Sequence, residues 1–125
     1  MRVCVSDDHG ITWKAAPQSP GTGNFADEIE IAELNSDGSA GKPTLYMTIR
    51  NDGAPGGHRQ FSTSTDMGDT WAERLNVDVP DPGCKGGVIQ APGSNAMVLS
   101  TAASCTSRVN QTVFLSLKNG APGSW

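Results

Sequence analysis

The chain has 125 residues, which is room for one domain, and a net charge of −4 with only nine Lys and Arg residues. An acidic chain without a basic cluster is not expected to bind nucleic acid, and no apolar run approaches the roughly 18 residues of a membrane span. The 15 Gly and 8 Pro residues predict many tight turns between short strands and exclude a helical bundle.

A polar turn near the start of the chain recurs further along. Residues 6–13 and 64–71 both read S-x-D-x-G-x-T-W, with five identical positions 58 residues apart. A degenerate third copy spans 116–125, with Asn119 near the Asp position and extra residues before the Trp. We call these segments turn 1, turn 2 and turn 3. Ser and Asp side chains bond nearby amides and Gly supplies a positive φ, so each turn is expected to join two antiparallel strands.

Alternating hydrophobicity between the turns predicts seven short strands. They span 28–34, 44–49, 59–65, 71–79, 87–90, 96–101 and 109–117. Four strands per period, with a turn recurring at one fixed connection, are typical of a β-propeller blade. Propellers need about four to eight blades to close, so residues 1–125 are predicted to be a partial propeller domain of about two blades, completed by further blades of a longer protein.

Three charged residues are expected at the same end of the predicted blades. Turns 1 and 2 each join a third strand to a fourth, and the connections of a meander alternate between the two ends. Glu28 enters a first strand, whereas Arg50 and Arg108 each follow a second strand, so all three belong to the end opposite the turns. First strands line a propeller axis, where a ligand pocket could form.

Three further segments, together with the turns, resemble the sialidase (neuraminidase) family. The sequence DEIEIAEL at 27–34, followed by Asp37-Gly38, is similar to the family's N-E-x-x-V-x-E-L-x-D-G strand. MTIRN at 47–51 resembles its strand ending in R-N, and RVNQTVFLS at 108–116 resembles its R-x-x-x-T-V-x-x-S run. The turns resemble its Asp boxes. The resemblance implies an all-β, six-bladed propeller and an exo-α-sialidase that hydrolyses terminal sialic acids of glycoconjugates.

The resemblance also implies roles for individual residues. Glu28 matches the glutamate that polarises a tyrosine nucleophile, and Arg50 and Arg108 match the second and third arginines that grip the substrate carboxylate. Arg suits this task because its planar, permanently charged fork binds a carboxylate in bidentate fashion. Asp27 stands where the family usually has Asn, so Glu30 is the fallback for the glutamate.

Other side chains are given structural interpretations. Tyr46 is expected to be a strand residue, because the family's nucleophile lies after the third arginine. Arg59 lies outside the matched positions and is interpreted as a structural or rim arginine, so Arg59→Lys is expected to be nearly silent. Cys84 and Cys105 could pair across neighbouring strands, although buried free thiols are favoured.

The expected partners are a sialylated glycoconjugate substrate and the remaining blades. No metal or other cofactor is expected, because the His and Cys residues lack metal-ligand spacing. The alternative function is a non-catalytic Asp-box propeller that binds glycans or proteins. The turns alone do not distinguish the two, whereas Glu28 with the two arginines favours the enzyme.

Overall fold

The computed structural model describes residues 3–16, 26–37, 41–51, 53 and 56–125. This part of the chain forms nine strands in three antiparallel sheets, and neighbours in each sheet follow one another in the sequence. The strands are β1 (Cys4–Val5), β2 (Lys14–Ala15), β3 (Ala26–Asp37), β4 (Pro43–Asn51), β5 (His58–Ser64), β6 (Leu75–Pro80), β7 (Gly87–Gln90), β8 (Met97–Ala102) and β9 (Gln111–Ser116). The sheets are β1-β2, β3-β4-β5-β6 and β7-β8-β9. The predicted fold class, an all-β partial propeller, is confirmed.

All seven predicted strands are present, but two of them begin more than one residue later than expected. β6 begins at Leu75 and not at Trp71, because the Trp71 indole folds back over turn 2 and its Nε1 donates to the Gly68 carbonyl at 3.1 Å. β9 begins at Gln111 and not at Val109, since Asn110 has a φ of 55°, outside the strand region.

The central sheet, β3-β4-β5-β6, is apolar on both of its faces. Successive side chains of a strand point to opposite faces, so Met47 and Ile49 of β4 belong to one core and Tyr46 to another. The first core joins the central sheet to β1-β2 and contains Val3, Met47 and Ile49 with Val5, Ala16, Ile29 and Trp71 around them. The second joins it to β7-β8-β9 and contains Ala32, Leu34, Tyr46, Phe61, Val77, Val79, Val88, Met97 and Leu99. The central sheet is therefore packed between its two neighbours.

Turn 1 is closed by its own side chains. The Ser6 Oγ accepts the Gly10 N–H at 2.8 Å, and the Asp8 carboxylate accepts the Thr12 N–H at 2.8 Å and the Thr12 hydroxyl at 2.5 Å. The Trp13 Nε1 donates to the Gly10 carbonyl at 3.1 Å. The hydrogen bonds from Thr12, followed by that from Ser6, lower the pKa of Asp8 to about 2. Each side chain of the motif therefore satisfies a backbone or side-chain group of the same turn.

Turn 2 repeats these contacts position for position. The Ser64 Oγ accepts the Gly68 N–H at 2.8 Å, and Asp66 accepts the Thr70 N–H at 2.9 Å and the Thr70 hydroxyl at 2.5 Å. The same pattern of hydrogen bonds, led by Thr70, lowers the pKa of Asp66 to about 2. The two turns are one structural unit used twice, as the sequence repeat predicts.

Turn 3 keeps the backbone of the other turns without the aspartate. Its Asn119 and Gly120 have φ values of 51° and 71°, as His9 and Gly10 have 59° and 86° in turn 1. The Trp125 Nε1 donates to the Gly120 carbonyl at 3.2 Å, the contact made by the Trp of both other turns.

The aspartate position of turn 3 is held by Lys118, not by Asn119. Lys118 lies two residues after Ser116, and Asp8 and Asp66 lie two residues after the first serine of their turns. The Ser124 hydroxyl lies 2.6 Å from the Ser116 Oγ and so supplies a polar partner that Asp8 provides to Ser6 in turn 1. Asn119, which the sequence places near the aspartate position, therefore lies one residue after it.

The glycine of turn 3 lies against the preceding sheet. A Cβ on Gly120 would lie 2.9 Å from both Trp125 and Tyr46 and 3.0 Å from the Met97 sulfur. We expect Gly120→Ala, introduced into the intact protein, to lower stability by about 1–3 kcal/mol more than Gly93→Ala, because of this overpacking.

Gly93→Ala is the matched control for this prediction. Gly93 has a φ of 68°, close to the 71° of Gly120, but a Cβ there would meet nothing within 4 Å. Both substitutions therefore carry similar backbone strain, and denaturant unfolding of the two variants isolates the packing contribution. Equal losses would show that Gly120 does not form a close contact between the sheets.

The cysteines differ in part from their interpretation. All three are free thiols, but Cys105 is exposed and Cys84 is half-buried, so neither is fully buried. Within the described ranges, the structure has no helix long and apolar enough to cross a membrane.

Candidate functional site

The predicted site residues lie at one end of the sheets. Arg50 is near the end of β4, and turn 2 joins β5 to β6 at the opposite end of the central sheet. Arg108 lies in the β8–β9 connection, which follows a second strand as predicted. The order of the strands thus separates the turns from the charged residues.

A β-bulge brings Glu28 onto Arg50. In the β3–β4 pair, Ala26 is opposite Asn51 and Ile29 is opposite Ile49, so residues 27 and 28 share the single partner Arg50. Bulges re-aim side chains and are frequent near active sites. The Arg50 Nη1 donates to the Glu28 Oε2 at 3.0 Å, with 17% and 46% of the two side chains exposed. Glu28 is therefore held against Arg50 by a half-exposed ion pair.

Arg50 and Arg108 line one cavity of about 230 Å³, which we call the arginine pocket. Its lining consists of Arg50, Asn51, Gly53, Gly57, Asp81, Pro82, Gly83, Cys105 and Arg108. The two arginines come from different sheets, and Arg50 forms the ion pair with Glu28. The structure thus brings the three predicted residues to the same end of the molecule, two of them into one pocket.

A short loop after β6 separates the two arginines. The Gly83 carbonyl accepts a hydrogen bond from the Arg108 Nη2 at 3.1 Å. On its other side, a Cβ on Gly83 would lie 3.2 Å from the Asn51 carbonyl and 3.8 Å from the Arg50 Nε. Gly83 also has a φ of 79°, which L side chains rarely adopt. A glycine is required here because its backbone fits between Arg50 and Arg108.

Asp81 anchors this loop from beneath. Its carboxylate is fully buried and accepts the Asn51 N–H at 2.8 Å, the Gly83 N–H at 2.9 Å and the Cys84 N–H at 3.0 Å. It also pairs with the Arg59 Nη2 at 3.3 Å. One carboxylate therefore joins the end of β4, the start of β5 and the loop that contacts Arg108.

Arg59 is a structural arginine, which confirms one of its two interpretations. Its side chain is 1% exposed, and its Nη2 also donates to the Thr101 Oγ1 at 3.1 Å and to the Cys84 carbonyl. Burial lowers the pKa of Arg59, opposed by the charge of Asp81. Given these contacts, we expect Arg59→Lys to be damaging and not nearly silent, because one ammonium group cannot replace a fork that contacts several partners.

Glu28 and the fallback residue Glu30 have different ion-pair partners in the structure. Glu30 lies 3.6 Å from the Lys85 ammonium, and both side chains are largely exposed. Tyr46 is a buried residue of β4, as predicted, and its hydroxyl donates to the Gly120 carbonyl at 3.4 Å. Burial raises the pKa of Tyr46, which further disfavours it as a nucleophile.

Sequence reasoning missed Asp81 and Gly83, although one local signal was present. The run Asp81-Pro82-Gly83 has the composition of an Asx turn, in which the Asp side chain accepts the N–H two residues later. The structure contains that hydrogen bond. The contacts of Asp81 with Arg59 and Asn51 had no sequence signal, since they join residues 22 and 30 positions apart.

Comparison with known proteins identifies sialidases as relatives of this chain. The chain is 35% identical to a sialidase of Micromonospora viridifaciens over 124 residues, covering 92% of this chain and 18% of that protein. A NanB sialidase variant from Streptococcus pneumoniae matches with a TM-score of 0.75 and 25% identity over 93% of this chain and 17% of that one. A Hadza microbial sialidase matches with a TM-score of 0.72 and 25% identity over 93% and 22% of the two chains. No protein-family model matches. The chain spans about a fifth of the length of these relatives.

Proposed function

Since the chain is a sialidase homologue along nearly its whole length, we propose that it is part of an exo-α-sialidase that releases terminal sialic acids from glycoconjugates. The observation that carries the proposal is the arginine pocket, where Arg50 and Arg108 from two sheets line one cavity and Arg50 is paired with Glu28.

Arg50 and Arg108 are proposed to bind the substrate carboxylate. Two guanidinium groups offer charged donors on the walls of one small pocket, and hydrogen bonds between charged partners are stronger than neutral ones. Arg108 is oriented by the Gly83 carbonyl, and Arg50 is oriented by Glu28. Fixed orientation lowers the entropic cost of gripping the ligand.

Glu28 is proposed to act as the base for a tyrosine that another part of the enzyme supplies. A phenol has a pKa near 10 and needs a base to become a good nucleophile. The phenol proton passes to the Glu28 carboxylate while the phenol oxygen bonds to the anomeric carbon and the glycosidic bond breaks. Another acid protonates the leaving oxygen. Water then attacks the anomeric carbon and gives a proton to that acid, which the first step left deprotonated, while the glycosyl-tyrosine bond breaks and Glu28 returns its proton to the tyrosine oxygen.

A tyrosine nucleophile suits an anionic substrate. The neutral phenol approaches a sugar that already carries a carboxylate, whereas an aspartate or glutamate would bring a second negative charge. Sialidases differ from most retaining glycosidases in that they use a tyrosine, and not a carboxylate, as the nucleophile. The proposed reaction therefore proceeds with retention at the anomeric carbon, after two displacements.

The test is hydrolysis of a fluorogenic α-sialoside by the intact protein, compared with a galactoside carrying the same fluorophore. We expect turnover of the sialoside alone, with the α-anomer of sialic acid as the first product observed by NMR. The isolated 125-residue chain is expected to be inactive, because the proposed tyrosine and acid lie outside it. Binding of sialosides by the intact protein without cleavage would contradict the proposal and support a glycan-binding propeller instead.

A further inference from the structure

We propose that Asp81 is a positioning residue that sets the separation of Arg50 and Arg108 in the arginine pocket. This inference rests on the proposed role of the two arginines in carboxylate binding. Although Asp81 is one of the lining residues, its carboxylate is fully buried and its oxygens accept from backbone N–H groups and Arg59, so it is not assigned a contact with the ligand. It acts through the loop that contains Gly83.

The contacts of Asp81 fix that loop relative to both arginines. Its Oδ1 accepts the N–H groups of Gly83 and Cys84, and its Oδ2 accepts the N–H of Asn51, the residue that follows Arg50. A Cβ on Gly83 would be in van der Waals contact with the Arg50 side chain, and the Gly83 carbonyl accepts from Arg108, so the loop lies between the two arginines as a spacer. A shift of the loop would change the distance between the two guanidinium groups.

Arg59 neutralises the buried Asp81 carboxylate, so that the charge of Asp81 does not weaken the attraction of the arginine pocket for an anionic ligand. A buried anion beside Arg50 and Arg108 would reduce the positive potential that attracts an anionic ligand. The Arg59 guanidinium lies 3.3 Å from Asp81 and is itself buried, so the pair is neutral overall. The charge of Asp81 is thus compensated by Arg59 and does not have to be compensated by Arg50 or Arg108.

The fit around Arg59 supports this assignment. A Cβ on Gly86 would lie 2.9 Å from both the Arg59 Cζ and the Ser100 carbonyl. The guanidinium is thus enclosed by the start of the third sheet. Its Nη2 hydrogen bond to Thr101 links it to β8, the strand that leads into the connection containing Arg108.

The first test is Asp81→Asn in the intact protein, with Asp78→Asn as the matched control. Asn keeps the shape and one acceptor oxygen but removes the charge that pairs with Arg59. Asp78 is an exposed residue of β6, three positions away. We expect Asp81→Asn to lower the affinity for an unsaturated sialic acid analogue roughly tenfold, because misplaced binding groups lose affinity. The affinity for the C1 amide of this analogue should be unchanged. Asp78→Asn should change neither.

Kinetics separate this role from simple loss of folded protein. Arginine contacts with the carboxylate are made in the ground state and the transition state alike, so Asp81→Asn should raise KM by a larger factor than it lowers kcat. A merely structural role would lower apparent kcat and leave KM unchanged. That result, or equal weakening of acid and amide analogues, would overturn the inference.

The second test moves the loop without touching the ion pair. Gly83→Ala places a Cβ against the Asn51 carbonyl and the Arg50 guanidinium, whereas Gly93→Ala has a similar positive φ and open space. We expect Gly83→Ala, and not Gly93→Ala, to weaken the acid analogue selectively. Unchanged affinity in a folded Gly83→Ala protein would overturn the inference. If the intact protein cleaves no sialoside but these affinities change as expected, the proposed reaction fails and the positioning role stands.

Discussion

Glu28→Gln in the intact protein is expected to lower kcat roughly 10²–10⁴-fold, the usual cost of removing a positioned general base. The amide keeps the size of the side chain and can still accept a hydrogen bond from Arg50, but it cannot take the phenol proton. KM should change much less than kcat, since the arginines that bind the carboxylate remain. Steady-state hydrolysis of a fluorogenic α-sialoside measures both constants.

Glu30→Gln is the matched control for Glu28→Gln. Glu30 lies two residues further along β3, and its partner is the exposed Lys85 at 3.6 Å. Exposed ion pairs of this kind contribute about 0–1 kcal/mol, so this substitution should be tolerated. If Glu30→Gln were the damaging change, the alignment of β3 with the sialidase glutamate would be off by two residues. If neither change affected kcat, Glu28 would be an ordinary surface carboxylate.

The affinity for a sialic acid analogue is expected to fall about ten- to a hundredfold with each of two substitutions, Arg50→Lys and Arg108→Lys. A hydrogen bond to a charged partner contributes about 1.5–3 kcal/mol, and Lys keeps the charge but loses the planar fork. Arg50→Lys should have a second effect on kcat, because Arg50 also holds Glu28 at 3.0 Å. Titration calorimetry with the acid analogue and its C1 amide measures the affinities.

The amide analogue and a distant arginine are the controls. An uncharged amide removes the interaction under test, so both substitutions should weaken it far less than the acid. Arg74→Lys alters an arginine just before β6, at the opposite end of that strand from Asp81, where its Nη1 donates to Gln60 at 3.4 Å. It should leave the affinity unchanged. Equal losses for acid and amide would mean that Arg50 and Arg108 support the fold and do not grip the ligand.

Local patterns were sufficient to predict seven of the nine described strands and the end of the sheets at which the charged residues lie. Alternating hydrophobicity located the strands, and the identical turns located the connection between the third and fourth strands of the central sheet. The parity of meander connections then placed Arg50 and Arg108 together, as the arginine pocket shows. These inferences needed only neighbours in sequence and the rule that successive antiparallel strands reverse direction.

Contacts between distant segments could not be predicted in the same way. Arg59 at the start of a strand has the pattern of a surface charge, and it becomes buried only because β8 supplies Thr101 and the loop after β6 supplies Asp81. The bulge opposite Arg50 is equally invisible in the alternation of β3. In turn 3, Lys118 stands at the aspartate position and makes the repeat weaker in sequence. The three turns share positive φ angles and do not share the aspartate.

The two apolar faces of the central sheet have a consequence for how the molecule unfolds. Its stability is a sum of nearest-neighbour terms, as in a linear array of repeats, so melting one adjoining sheet removes stabilisation from the next. Among the described residues, the core between the central sheet and β1-β2 has three buried apolar side chains, whereas the core between the central sheet and β7-β8-β9 has nine. Fraying from the β1-β2 side would reach Met47 and Ile49 in β4 first, and Arg50, which follows them, would lose its alignment before the rest of the sheet opened.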